Sequence, residues 1–254
     1  MLYRYDGSFD GLMTAVYDAF YARIPVEQAH FSVQEEDVSF TLWDDKQETV
    51  VTTDGIKARK VIQALVAQVG FDAYDYSYHV FLSCESGRED LIFQYIKLCF
   101  AKGPGVFQMW AHPVAGEILR ISRKVSREWQ HMLGFLRFQE LESGALFAEI
   151  SPTNNVLELM APHFADRLPN ERWMIYDSSR QIACVYAPEK GLLFTDQIPP
   201  ELVAIKEHSA TEPMYQDLWR AFFKAIAIEG RYNPKCQQNF LPKKYWKHLT
   251  EMQD

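Results

Sequence analysis

Gly134-Phe-Leu-Arg-Phe-Gln-Glu-Leu-Glu-Ser-Gly-Ala-Leu-Phe-Ala-Glu-Ile150 is the stretch where the texture of the chain changes. Upstream, apolar residues recur every three or four positions. Here two short apolar runs flank Ser143-Gly144, the pattern of a β-hairpin. Trp173–Tyr176 and Ile182–Tyr186 make a second pair, joined by Asp177-Ser-Ser-Arg180, and Leu192–Thr195 a last short strand. Between the two pairs, Asn154 or Asn155 is placed to cap a helix running through Phe164, with Pro169 marking its end. The stretch from about 134 to 195 therefore predicts a ββαββ-like unit with an antiparallel sheet.

Working outward, Leu12, Val16, Ala19 and Phe20 give one buried face to a helix that Ser8 or Asp10 caps and that ends near Arg23, after a strand over residues 1–5. Val38-Ser-Phe-Thr-Leu-Trp and Thr49-Val-Val-Thr-Thr read as strands. Ile56 to Val69, Tyr74 to Ser83 and Glu89 to Ala101 read as amphipathic helices. Lys102-Gly-Pro-Gly-Val is a turn, and a long helix follows from Pro113 to Met132. Beyond Pro199-Pro200 the chain returns to helix, with Met214 to Ile228 amphipathic. The class is α+β: a helix-rich N-terminal part over 1–110, then a long basic helix, the sheet unit and basic C-terminal helices over 111–254. The two parts read equally as one continuous domain.

Composition sets the outer bounds. In 254 residues, 48% hydrophobic and 14% aromatic content suffice for a real core. Net charge is −8, so contact with nucleic acid would be a local patch on a repelling body. No apolar segment follows the Met1-Leu-Tyr-Arg-Tyr-Asp start and no run approaches a membrane span, so a cytoplasmic protein without membrane contact is expected. Cys84, Cys99, Cys184 and Cys236 contain no Cys-x-x-Cys and read as reduced thiols. Nucleotide-binding loops of the Walker and Rossmann types and a Gly-x-Ser-x-Gly nucleophile turn are absent, and no cofactor is expected.

The charge reverses near the C-terminus. Residues 220–248 carry seven Lys/Arg against Glu229 alone, leaving 19 basic and 33 acidic residues elsewhere. Within this run Arg231, Tyr232, Lys235, Lys243, Lys244, Tyr245, Trp246 and Lys247 interleave cations with flat rings, the chemistry that neutralises phosphates and stacks on unpaired bases. The other reading packs Tyr245 and Trp246 into the fold and leaves the lysines solvated. Arg120, Arg123, Lys124 and Arg127 form a basic stripe on the long helix, suited to a phosphate backbone or equally to water. Glu128 and His131 make a Glu-x-x-His pair that can share a metal, although a di-metal bundle needs a second such pair and two further glutamates; a structural hydrogen bond or charge pair is the default reading. His163 and Asp166 offer a base and an orienter, but a histidine in the last turns of a helix is also favoured by the dipole. Asp177 and Arg180 flank a strand connection and suit an ion-paired turn.

Several motifs, in order, resemble a known family nearly end to end. They are Tyr5-Asp-Gly-Ser-Phe-Asp-Gly-Leu-Met-Thr-Ala-Val-Tyr, Arg127-Glu-Trp-Gln-His-Met-Leu-Gly-Phe-Leu-Arg137-Phe, and Ala161-Pro-His-Phe-Ala. Trp173-Met-Ile-Tyr-Asp-Ser-Ser-Arg, Arg231-Tyr-Asn-Pro-Lys and Leu241-Pro-Lys-Lys-Tyr-Trp-Lys complete the set. The family resembled is one of bacterial DNA-metabolism or DNA-repair proteins of unknown mechanism. Its members are encoded beside a radical-SAM protein, and a related domain is fused to uracil-DNA-glycosylase-like proteins. The resemblance implies a DNA-repair theme, those two proteins as partners, and Arg137, Asp177 and Arg180 as family-matching positions. The chain lacks the Cys-x-x-x-Cys-x-x-Cys that a radical-SAM cluster needs. Ala111-His-Pro-Val is a poor match to a glycosylase loop.

The leading expectation is an accessory factor in DNA repair that binds single-stranded or damaged DNA and a repair enzyme, without catalysis of its own. A nucleic-acid-processing enzyme using Glu128, His131, His163 and Asp166 is the second reading, and a protein-interaction module the third.

Overall fold

The computed structural model describes residues 1–34, 47–198 and 209–253. The chain divides into two compact units, Met1–Ser126 and Arg127–Asp254, with the boundary inside a long helix.

In the first unit, β1 (Leu2–Tyr5) is the middle strand of a parallel three-stranded sheet, between β2 (His30–Val33) and β3 (Glu48–Val50). Its alternation buries Tyr3 and Tyr5, and Tyr3 stacks on Phe31 at 5.4 Å. Ser8 caps α1 (Phe9–Tyr21) by accepting from the Gly11 amide at 2.9 Å, and Leu12, Val16 and Ala19 are its buried face. A Cβ at position 11 would lie 2.2 Å from Asp6 Oδ1, so a larger residue there would displace the Asp6 carboxylate from Ser8 and Thr53. Asp54 caps α2 (Gly55–Gln68), and α3 (Phe71–Phe81) and α4 (Arg88–Lys102) follow. Asp90 on α4 accepts from the Phe31 amide at 2.9 Å and contacts His30 Nδ1 at 2.8 Å, holding β2 to the helices. A 3₁₀ turn over Gly103–Gln108 leads to α5 (Pro113–Phe135). Of the strands expected here, Val38–Trp43 lies outside the described residues. Strand β2, short and holding only four residues, gave no sequence signal.

The second unit is built on a five-stranded sheet of order β4-β5-β6-β7-β8: Gln139–Glu140, Leu146–Ile150, Trp173–Asp177, Ile182–Ala187 and Gly191–Thr195. The α+β architecture is the one expected, but the sheet is mixed. β5 and β6 run parallel while the other three pairings are antiparallel. The cause is α6 (Leu157–Arg167), which carries the chain back along its own length and so starts β6 in the direction of β5. Helix α6 also begins later than expected, behind Val156, because the Asn154 side chain is engaged elsewhere. Trp173, buried at 1% exposure, stacks on Tyr186 at 5.2 Å and anchors the sheet core. After β8 come α7 (Glu212–Ala225), α8 (Pro234–Phe240) and two 3₁₀ turns, Lys243–His248 and Thr250–Met252.

Candidate nucleic-acid interface

The second unit is organised around one carboxylate. Glu128 lies on α5 and is only 7% exposed. It accepts from the Thr153 amide at 2.8 Å, the Asn154 amide at 2.8 Å, Asn154 Nδ2 at 2.6 Å and Lys244 Nζ at 2.9 Å, and from the Tyr245 hydroxyl. A carboxylate offers about four lone-pair sites, so five donors saturate it. Burial alone would push this carboxyl up. The Tyr245 hydroxyl, the Thr153 amide, the Lys244 ammonium and the Asn154 amide outweigh burial and hold its pKa down to about 2. Such a group takes no proton at neutral pH and has no lone pair left for a metal. Its role is to fasten the β5–α6 loop and the C-terminal segment to one helix.

Two further contacts grip the same loop. Arg180, in the β6–β7 turn, donates to the Pro152 carbonyl at 3.2 Å, to the Thr153 carbonyl, and to Asp177 at 3.0 Å. Asp177 is fully buried; burial raises its pKa, and Arg180 with the Ser179 and Arg180 amides offsets that only in part. Ser151 Oγ and His248 Nε2 share a hydrogen bond of 2.7 Å. Burial lowers the His248 pKa, so the neutral ring is favoured. A hydroxyl beside a neutral imidazole is the start of a nucleophilic pair. The nearest amides of this loop, Thr153 and Asn154, are turned to Glu128 and are not available to hold an oxyanion. The pair therefore acts as a clip.

A second buried carboxylate fastens the end of the chain. Glu251 accepts from Arg137 Nη2 at 2.6 Å and Nε at 3.2 Å, and from Trp219 Nε1 at 2.8 Å. The Arg137 guanidinium also lies 5.1 Å above the Trp219 ring. Burial would raise the Glu251 pKa, but these donors lower it.

These fastenings sort the predicted binding residues. Tyr245 is 3% exposed and Leu249 fully buried, so both face inward, and the Tyr245 ring is not a stacking surface. Lys244 is held by Glu128. Lys243 and Lys247 point to solvent, and Trp246 lies half-buried with its Nε1 donating to the Leu241 carbonyl at 3.0 Å and the Lys243 ammonium 5.8 Å over its ring. Arg231, Lys235 and Tyr232, the last 76% exposed, also face solvent. Among the described residues, Arg127, Arg231, Lys235, Lys243 and Lys247 form no ion pair with an acid.

The basic stripe of α5 is divided between the units. In the first, Arg120 pairs with Glu117 at 2.7 Å, Lys124 with Glu85 at 2.7 Å, and Arg123 sits 5.2 Å over Trp110. Arg127 belongs to the second unit and is exposed. The acid–base residues are not brought to Glu128. His131 packs on the Phe135 ring at 5.4 Å, His163 meets Phe164 edge-on, and Asp166 is exposed. Among the described residues no three His, Cys, Asp or Glu side chains converge as a metal site.

Sequence reading missed Glu251 and the Ser151–His248 clip. Both pair residues about a hundred positions apart, and nothing in the local pattern marks either member. Glu128 was singled out with a structural hydrogen bond or charge pair as the default and a metal as the alternative, and its bonds are of the first kind, to partners the sequence did not name.

The second unit is thus an α+β fold whose basic C-terminal segment is fastened by Glu128 and Glu251. Residues 86–251 match the model of a domain of unknown function, DUF4130, and the chain belongs to that family. No curated protein and no solved structure matches it. The matched region contains Glu128, Asp177, Arg180 and Lys243 to Lys247, and it ends on Glu251.

Proposed function

We propose that the protein binds single-stranded or damaged DNA through its fastened C-terminal segment, as an accessory factor to a repair enzyme and without catalysis of its own. One observation carries this reading. Tyr245, His248, Leu249 and Glu251 hold the segment down, while Lys243 and Lys247 stand out from it and pair with no acid among the described residues. Surface lysines on a loose tail would lose side-chain and backbone freedom on binding. Lysines on a fixed turn lose less, so more of each phosphate contact appears as affinity. Arg127, Arg231 and Lys235 add cations, and Tyr232 and the accessible part of Trp246 supply ring faces for unpaired bases. The repair theme and the repair-enzyme partners rest on the motif resemblance alone.

The test is a fluorescence-anisotropy titration of the full chain against single- and double-stranded DNA, with and without uracil, at two salt concentrations. Salt-sensitive binding with a preference for one form is expected. Flat traces at low salt would end this reading and favour a protein partner for the same lysines.

A further inference from the structure

A cleft of about 560 Å³ opens in the second unit, and neither Glu128 nor the basic turn Lys243–His248 lines it. Phe138, Leu146 and Leu168 give it apolar surface, and α7 contributes Glu212, Tyr215, Gln216 and Trp219. Its size is that of a small-molecule site.

The charge of the cleft is one-sided. Glu140, Glu171 and Glu212 line it, and among the described residues none of the three pairs with a cation. Arg137, the cation in the lining, is taken up by both oxygens of Glu251. Arg172, beside Glu171, turns instead to Glu189 at 3.0 Å. Glu212 is the informative member. It is only 6% exposed, yet its partners are neutral: the Glu140 amide at 2.9 Å on one oxygen and Gln216 Nε2 at 3.0 Å on the other. Two donors leave about half of its lone-pair sites open. The α7 N-terminus favours the negative charge but supplies no counterion. A buried carboxylate without a counter-charge is an acceptor for a cation.

The same cleft already holds one cation of the chain's own. The Arg137 guanidinium lies 5.1 Å from the centre of the Trp219 ring and is closed by the Glu251 carboxylate. Tyr215, 56% exposed, offers a further ring face. An anion entering here would meet three carboxylates. A wholly apolar guest would remove water from them and supply no partner. A hard metal ion needs converging oxygens, and among the described residues no three acids converge. An alkyl chain ending in a guanidinium or ammonium matches both the apolar and the acidic parts of the lining.

We propose that this cleft binds an organic cation, a guanidinium or ammonium group on an alkyl chain, with its charge met by Glu212, Glu140 and Glu171. The site involves no DNA and does not rest on the function proposed above.

The experiment is isothermal titration calorimetry of the full chain at low salt with three probes. They are agmatine, its neutral counterpart butylurea, and the blocked peptide Gly-Arg-Gly-Lys-Gly. At least one cationic probe is expected to saturate a single site with a Kd below about 1 mM. Butylurea should give no saturable heat. Tighter binding of agmatine would make the natural group a free amine, and tighter binding of the peptide a basic side chain. Glu171→Lys, at an exposed position, and Glu212→Gln should each weaken the better probe roughly tenfold or more. Glu27→Lys, an equal change of charge on the first unit, should leave affinity unchanged, and thermal unfolding of every variant confirms that it is folded. No saturable binding of either cation, or butylurea binding as tightly, would overturn the proposal. So would affinity indifferent to both cleft variants, or lowered as much by Glu27→Lys.

Discussion

Glu128 shows how a single side chain serves as a joint. It stands between Arg127 and Trp129 on α5, and nothing in that local setting names the partners that meet it. Its burial becomes tolerable only because five donors meet it, and removing it would leave two amides and a hydroxyl facing each other. Glu128→Ala is therefore expected to cost roughly 3–5 kcal/mol of stability, as for other buried paired charges stripped of one partner. Glu128→Gln, which keeps one acceptor oxygen, should cost less. Tyr245→Phe removes one hydrogen bond to a charged acceptor and should cost about 1.5–3 kcal/mol. Chemical denaturation of the three variants checks the order. The pH dependence has a definite sign. The Glu128 pKa is lowered from 4.5 to about 2 in the folded state, so its contribution is complete above 4.5 and disappears as pH falls toward 2. The stability gap between native protein and Glu128→Gln should close over that window. His79 and His248 act at higher pH. Burial lowers both pKa values from 6.5, so the unfolded chain takes up protons first and stability should begin to fall as pH drops below 6.5. Replacing both by Gln should flatten that upper part of the profile.

Among the elements, those with a regular period were legible and those defined by distant partners were not. Strands β6, β7 and β8, helices α1 to α5 and the Ser8 cap follow from alternation, three-and-four spacing and capping residues. The direction of β6 was misjudged because strand pattern carries no polarity, and only the length of α6 dictates the parallel return. Asn154 looked like a helix cap. An asparagine amide can accept through its oxygen as a cap or donate through its nitrogen, and Glu128, 26 residues away, takes the donor. The C-terminal 3₁₀ turn is the hardest case. Its six residues, Lys243–His248, mix inward and outward positions, which no regular period in the sequence announces. Tyr245 packs inward, while Lys243 and Lys247 remain on the surface. Lys244 belongs with the anchors, so its replacement should lower stability as well as binding. A stability-neutral probe of the interface must leave it in place.

On the scale of the whole molecule, net charge of −8 works against any polyanion, and a local basic segment has to overcome it at short range. Binding should therefore be strongly salt-dependent. On single strands each phosphate contact contributes about 0.7 to the slope of log K against log salt. Removing two lysines that both meet phosphate should make that slope shallower by about 1.4. Among the described residues no helix is long and apolar enough to cross a membrane.

The most direct measurement compares the native chain with Lys243→Glu/Lys247→Glu by anisotropy on single-stranded DNA across a salt series, with thermal unfolding of both run alongside. The fastened-segment account predicts binding weakened at least a hundredfold at low salt and unfolding temperatures within a degree or two of each other. Equal affinity and equal salt slope in the two proteins would contradict it.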